Sequence, residues 1–107
     1  MTLAKQFVDQ ALKKNLITVF SKSYCPFCKA AKQTLARYDA PFTAYELDQM
    51  KDGPSIQAYL TAKTKQSTVP SIFFKSDFVG GNSDLSKLHS SGQLKTMVEE
   101  LAEKAEW

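Results

Sequence analysis

Cys25-Pro26-Phe27-Cys28 constrains this chain more than any other stretch, because few backbone positions accept a proline between two cysteines without strain. Just upstream, Leu16-Ile17-Thr18-Val19-Phe20 is a short run of apolar and β-branched residues bounded by polar ones, which predicts a buried strand. Pro26 suits the first position of a helix, where its missing N–H costs nothing, and Phe27, Ala31, Thr34, Leu35 and Tyr38 then recur at helical spacing. The motif therefore lies at a strand–loop–helix junction, with Cys25 at the helix N-terminus.

The flanking segments extend this pattern. Leu3, Phe7, Val8, Ala11 and Leu12 form one stripe of an amphipathic helix opposite Lys5, Asp9, Gln10 and Lys13, with Asn15 as its expected stop. Pro41 ends the second helix, Phe42 to Leu47 alternates as a strand, and Asp52-Gly53-Pro54-Ser55 opens a helix with Ile56, Tyr59 and Leu60 on one side. Ser71-Ile72-Phe73-Phe74 predicts a strand that turns at Lys75-Ser76-Asp77 into a shorter one around Phe78-Val79, ending at Gly80-Gly81. Asn82 and Ser83 are expected caps of a short helix containing Leu85 and Leu88. Gly92 separates it from a last helix with Leu94, Met97, Val98, Leu101 and Ala105 and a Glu100–Lys104 pair. The order α-β-α-β-α-β-β-α-α predicts an α/β chain. With 107 residues and no repeat or linker, one domain over residues 1–107 is expected.

Charge and hydropathy narrow the function. The formal net charge of +3 is spread along the chain, with no basic run beyond Lys13-Lys14 and no aromatics interleaved with it, so nucleic-acid binding is not expected. No apolar stretch approaches the roughly 20 residues that span a bilayer, and the first residues have helical spacing in place of a leader's apolar block. The sequence thus reads as that of a cytoplasmic protein without membrane contact.

Both cysteines of the chain fall in the one motif, so neither is left for a distant bridge. Unpaired N–H groups at the helix start, with Lys22 nearby, favour the Cys25 thiolate, the form that attacks a disulfide and the form that leaves when the mixed disulfide is resolved. Cys28, one turn on, can close a disulfide with Cys25 and should be more shielded and less acidic. The same spacing is half of a zinc site, but only His89 adds a further nitrogen, short of four ligands. No metal is expected. The position of His89 at the end of a helix suggests a helix-end cation or a surface residue.

Lys22-Ser23-Tyr24-Cys25-Pro26-Phe27-Cys28 resembles the active-site stretch of dithiol glutaredoxins, in the thioredoxin superfamily, with Phe27 where C-P-Y-C has tyrosine. Glu46-Leu47-Asp48, Thr68-Val69-Pro70 and Gly80-Gly81-Asn82-Ser83-Asp84-Leu85 continue the likeness in order. Thioredoxins carry W-C-G-P-C, whereas Tyr24 precedes the first cysteine here and the one tryptophan is Trp107. The resemblance implies a thioredoxin-like fold with a central four-stranded mixed sheet flanked by helices on both faces, and a cis Val69–Pro70 bond. Read without it, Pro70 can simply be the residue that starts a strand.

The implied activity is glutathione-dependent reduction of protein–glutathione mixed disulfides and of dithiol disulfides, with Cys25 as nucleophile, Cys28 resolving, and glutathione as reductant and co-substrate. A monomer acting on glutathionylated or disulfide-containing proteins is expected. By resemblance, Lys22 and Gln57 face the glycyl carboxylate of glutathione, Val69 its backbone, the Asn82 and Ser83 amides the γ-glutamyl carboxylate, and Asp84 the ammonium. Thr68, Pro70 and Gly81 complete that surface, and Phe27 supplies an aromatic wall without the hydroxyl. Taken singly, Lys22 reads equally as a solvated lysine, Gln57 as a helix-surface residue, and Ser83 and Asp84 as cap and first-turn acid. A rival role, holding a [2Fe–2S] cluster between two subunits, is disfavoured by Pro26, since cluster-binding members usually lack it.

Overall fold

Ile17–Ser21 (β1) is buried along its whole length, which a strand achieves only with neighbours on both edges and cover on both faces. The computed structural model, which describes residues 3–38 and 41–104 and only the backbone at 104, supplies both. Phe42–Glu46 (β2) pairs with β1 in parallel, Ser71–Phe74 (β3) pairs with its other edge antiparallel, and Asp77–Gly80 (β4) completes the order β2-β1-β3-β4. The expected mixed four-stranded sheet is therefore present. Ala105, Trp107 and the Glu100–Lys104 pair lie outside the described residues and side chains.

Period-two alternation divides the core between the two faces. Ile17, Val19, Ile72 and Phe74 pack with Ala31 and Leu35 of Pro26–Ala36 (α2), Leu85 of Asn82–Ser91 (α4), and Leu94 and Val98 of Gln93–Lys104 (α5). Phe20 and Phe73 point the other way, onto Val8, Ala11 and Leu12 of Leu3–Lys14 (α1) and Ile56 and Leu60 of Gly53–Thr64 (α3). Phe20 is flanked by Tyr45 at 5.7 Å and Phe73 at 6.0 Å between ring centroids. Among the described residues, no helix is long and apolar enough to cross a membrane.

Two expected core positions face outward instead. Leu3 is 76% exposed, and Ala4 takes the inward place at the start of α1. Phe27 is 65% exposed and Cys28 is the fully buried residue of that turn, so the inward stripe of α2 runs through Cys28, Ala31 and Leu35. A stripe read from apolar residues alone cannot tell which of two neighbours in the first turn meets the sheet.

The chain leaves β2 through a tight turn. Leu47–Gln49 forms a short 3-10 turn that continues into α3 through Met50, whose carbonyl accepts from the Gly53 amide at 3.1 Å. A Cβ at Gly53 would lie 1.9 Å from the Leu47 carbonyl oxygen, an overlap that only backbone movement relieves. Gly53→Ala is expected to lower stability by about 2 kcal/mol or more, read as a shifted denaturant midpoint at unchanged slope.

Candidate active site

Cys25 is the N-cap of α2: its backbone is extended, and its sulfur accepts the Cys28 backbone N–H at 3.3 Å. The side chain that caps the helix is thus that of the expected nucleophile, doing with sulfur what serine or aspartate usually does with oxygen. The first turn of α2 carries no acidic residue, so nothing there offsets the positive end of the helix dipole. Upstream, the Cys25 amide donates to the Lys22 carbonyl at 3.1 Å, a tight turn that lifts Tyr24 to 72% exposure.

That turn is anchored from across the sheet. Asp48, in the 3-10 turn after β2, accepts both the Ser23 amide, at 2.9 Å, and the Ser23 hydroxyl. These two bonds, with the Lys22 charge nearby, hold the Asp48 carboxyl below the usual carboxylate range. The anchor is therefore complete above that range and is released as pH falls through the lowered value. Asp48 belongs to the motif that resembles glutaredoxins, but its bonds span 25 positions and no local pattern predicts them.

The two sulfurs differ sharply in environment. Cys25 is partly exposed, while Cys28 has no exposed surface. Burial is the main reason that the Cys28 thiol is pushed up to about 12; the Cys25 sulfur beside it adds to this, and the Lys22 backbone and the Lys32 charge pull the other way. The expected asymmetry is present. As pH rises from 9.0 towards about 12, the unfolded thiol loses its proton while the folded one keeps it, so stability falls in that window. Denaturant midpoints of the reduced protein are expected to drop more steeply with pH than those of Cys28→Ser above pH 9.0, by up to about tenfold in the folding constant per pH unit.

Opposite Cys25 stands the residue before a cis proline. Val69–Pro70 is cis, and the Cys25 sulfur lies 3.9 Å from the Val69 carbonyl oxygen. Pro70 is buried immediately before β3, whereas Thr68 is exposed. Gly81 follows on: a Cβ there would touch the Pro70 carbonyl oxygen at 3.5 Å. Cys25, Val69, Pro70 and Gly81 thus form one continuous surface.

The start of α4 differs from expectation in its cap. Gly81, and neither Asn82 nor Ser83, is the N-cap, and Asp84 reaches back so that its Oδ2 accepts the Gly81 amide at 3.2 Å. Ser83 is exposed in the first turn. Side-chain preference favours serine or asparagine as cap, and Gly81, extended at φ −96°, occupies a conformation open to either; here the Asp84 carboxylate closes the turn instead, one residue before Asn82 and two before Ser83. Gly80, at φ +132°, is the position that favours glycine. A Cβ at Gly80 would also lie 2.2 Å from Asp84 Oδ2. On the other side, Gln57 Nε2 donates to the Ser67 carbonyl at 3.4 Å, so Gln57 adjoins the segment leading to Thr68. Its Oε1 and the Asn82 Oδ1 are buried without hydrogen-bond partners.

His89 lies in the last turn of α4, at the helix end as expected, and it has a partner that the sequence does not reveal: its Nδ1 lies 2.6 Å from the Tyr38 hydroxyl, with the two rings edge to face. The pair joins the last turn of α4 to the residues just past α2. Among the described residues, no group of three or more His, Cys, Asp or Glu side chains is arranged to hold a metal ion.

Residues 17–79 match the protein family described as Glutaredoxin. Glutaredoxin-2 of Schizosaccharomyces pombe is 64% identical over 102 residues, covering 95% of this chain and 93% of the relative. Glutaredoxin-1 of Rhizophagus irregularis is 42% identical over 98 residues, with 92% and 97% covered. Among solved structures, the buckwheat glutaredoxin–glutathione complex superposes with a TM-score of 0.90 at 36% identity, covering 94% of this chain and 91% of that one. Glutaredoxin C1 from Populus tremula x tremuloides, in its holo form, gives 0.91 at 29% identity, with 96% and 93% covered. A partly exposed cysteine capping its helix beside a cis proline, a buried second cysteine, and these matches agree: the chain belongs to the glutaredoxin family of glutathione-dependent thiol–disulfide oxidoreductases.

Proposed function

We propose that this enzyme removes glutathione from protein–glutathione mixed disulfides and also reduces dithiol disulfides, with Cys25 as nucleophile and Cys28 resolving. The observation that carries the reading is the contrast at α2: Cys25 meets solvent at the helix start beside the Val69 backbone, while Cys28 is sealed beneath it. Access selects the attacking sulfur, and burial delays the second until a mixed disulfide has formed.

In the one-cysteine cycle, the Cys25 thiolate attacks the glutathione sulfur of the mixed disulfide and the target protein leaves as its thiolate. A second glutathione then attacks the Cys25-bound glutathione, releasing oxidised glutathione and free Cys25. In the two-cysteine route, Cys28 attacks Cys25 and releases the bound thiol.

Glutathione lies, in this reading, along the surface from Cys25 to Gly81. Its cysteinyl backbone pairs with Val69, whose carbonyl oxygen lies 3.9 Å from the Cys25 sulfur. Its γ-glutamyl carboxylate meets the amides of Asn82 and Ser83 in the first turn of α4. Asp84 already accepts from Gly81, yet a carboxylate retains lone pairs for the ammonium. Lys22 and Gln57 approach the glycyl carboxylate, Thr68 and Pro70 floor the groove, and Phe27 flanks it as an exposed aromatic. A cytoplasmic setting, where thiols stay reduced, belongs to the same proposal.

Glutathione-dependent reduction of a glutathionylated peptide by wild type, Cys25→Ser and Cys28→Ser tests this. Cys25→Ser is expected to lose activity by about 1000-fold or more, and Cys28→Ser to keep most of it on this substrate while losing activity on a dithiol disulfide. A Cys28→Ser variant as inactive as Cys25→Ser on the glutathionylated peptide would exclude the one-cysteine cycle.

A further inference from the structure

One charged cluster lies near the buried thiol. Lys32 stands one helical turn after Cys28 on α2, so the two side chains share a face of the helix. Its ammonium pairs with Glu46 at the end of β2, and the other oxygen of that carboxylate accepts the hydroxyl of Ser21. Ser21 and Glu46 are opposite each other in the β1–β2 register, and Ser21 is buried. Lys32 and Glu46 keep only 26% and 23% of their side-chain surface exposed. Their charges therefore act through a medium poorer than bulk water.

We propose that Lys32, oriented by Glu46, is a positioning residue for disulfide closure: its charge favours the Cys28 thiolate as Cys28 attacks Cys25, and Glu46 holds this effect in check by offsetting part of the charge. The inference rests on the resolving role proposed above for Cys28. In that step the proton of Cys28 goes to solvent and its sulfur bonds to the Cys25 sulfur. The bond from Cys25 to the glutathione sulfur breaks, and glutathione leaves as a thiolate. Cys28 is oxidised, the bound glutathione is reduced, and no outside oxidant takes part.

Because burial makes the Cys28 thiolate scarce at neutral pH, a neighbouring cation enters the closing rate through the fraction ionised. Lower basicity costs some nucleophilicity, which leaves roughly half of the gain on a logarithmic scale. A purely mechanical role for the pair, bolting α2 to β2, makes a different forecast: breaking it from either side loosens the site in the same way. A role through charge gives opposite signs.

The test is the first-order release of glutathione from the Cys25–glutathione mixed disulfide, formed in acid and then brought to about pH 7.5. Wild type is compared with Lys32→Gln, Lys32→Arg, Glu46→Gln and, for background, Cys28→Ser. Lys32→Gln is expected to slow release about three- to tenfold, Lys32→Arg to stay near wild type, and Glu46→Gln to speed release about two- to fivefold. Should Lys32→Gln fail to fold, Glu46→Gln decides: faster release supports the inference, and unchanged or slower release overturns it. Equal rates in all variants, or slowing by both Lys32→Gln and Glu46→Gln, overturns the inference while leaving Cys28 as resolver. Release from wild type no faster than from Cys28→Ser overturns the resolving role, and the inference with it.

Discussion

The bond from the Cys28 amide to the Cys25 sulfur is the contact around which the rest of the site is arranged. A helix start leaves amide groups unpaired, and here the side chain that receives one is the reactive sulfur. Capping and the role proposed for Cys25 therefore make the same demand on it: sulfur turned towards the helix, backbone extended, proline following. Pro26 meets the last of these by fixing its own φ and giving up a donor that had no partner. The fold supplies the remainder by burying β1 completely, so that the strand delivering Cys25 has little freedom to shift.

The second support is the approach of distant segments to that one turn. Val69 reaches the sulfur from the start of β3, and Asp48 grips Ser23 from the far side of β2. Gly53 lets α3 begin tightly against Leu47, which keeps the 3-10 turn carrying Asp48 in place. The Val69 and Asp48 contacts span 44 and 25 positions, whereas the Gly53–Leu47 packing that steadies the turn is local in sequence.

This is why the fold is largely legible in the sequence and the site only in part. The strand at Leu16–Phe20, the proline-started helix and the hairpin around Lys75 follow from period, proline and turn chemistry, which act over a few residues. The mixed sheet and the cis bond at Val69–Pro70 come from resemblance, since a motif carries long-range information that periodicity lacks. Lys32–Glu46, Ser23–Asp48 and Tyr38–His89 escape such a reading because their partners are brought together only by strand pairing and helix packing. The cap of α4 departs from expectation for another reason: Asn82 and Ser83 satisfy the usual side-chain preference, but the Asp84 carboxylate reaches back to the Gly81 amide and closes the turn there.

The Tyr38–His89 contact shows how the site can be governed from outside it. α2 and α4 both begin at the reactive surface, one at Cys25 beside Val69 and the other at Gly81 beside Pro70. Their opposite ends are fastened together by a phenol and an imidazole. The two helices thus behave like the arms of a pair of callipers, hinged at the back and open at the tips. In the proposed binding mode the gap between the tips is the span the tripeptide bridges from its sulfur to its γ-glutamyl end, so two aromatic rings outside the groove help to set it.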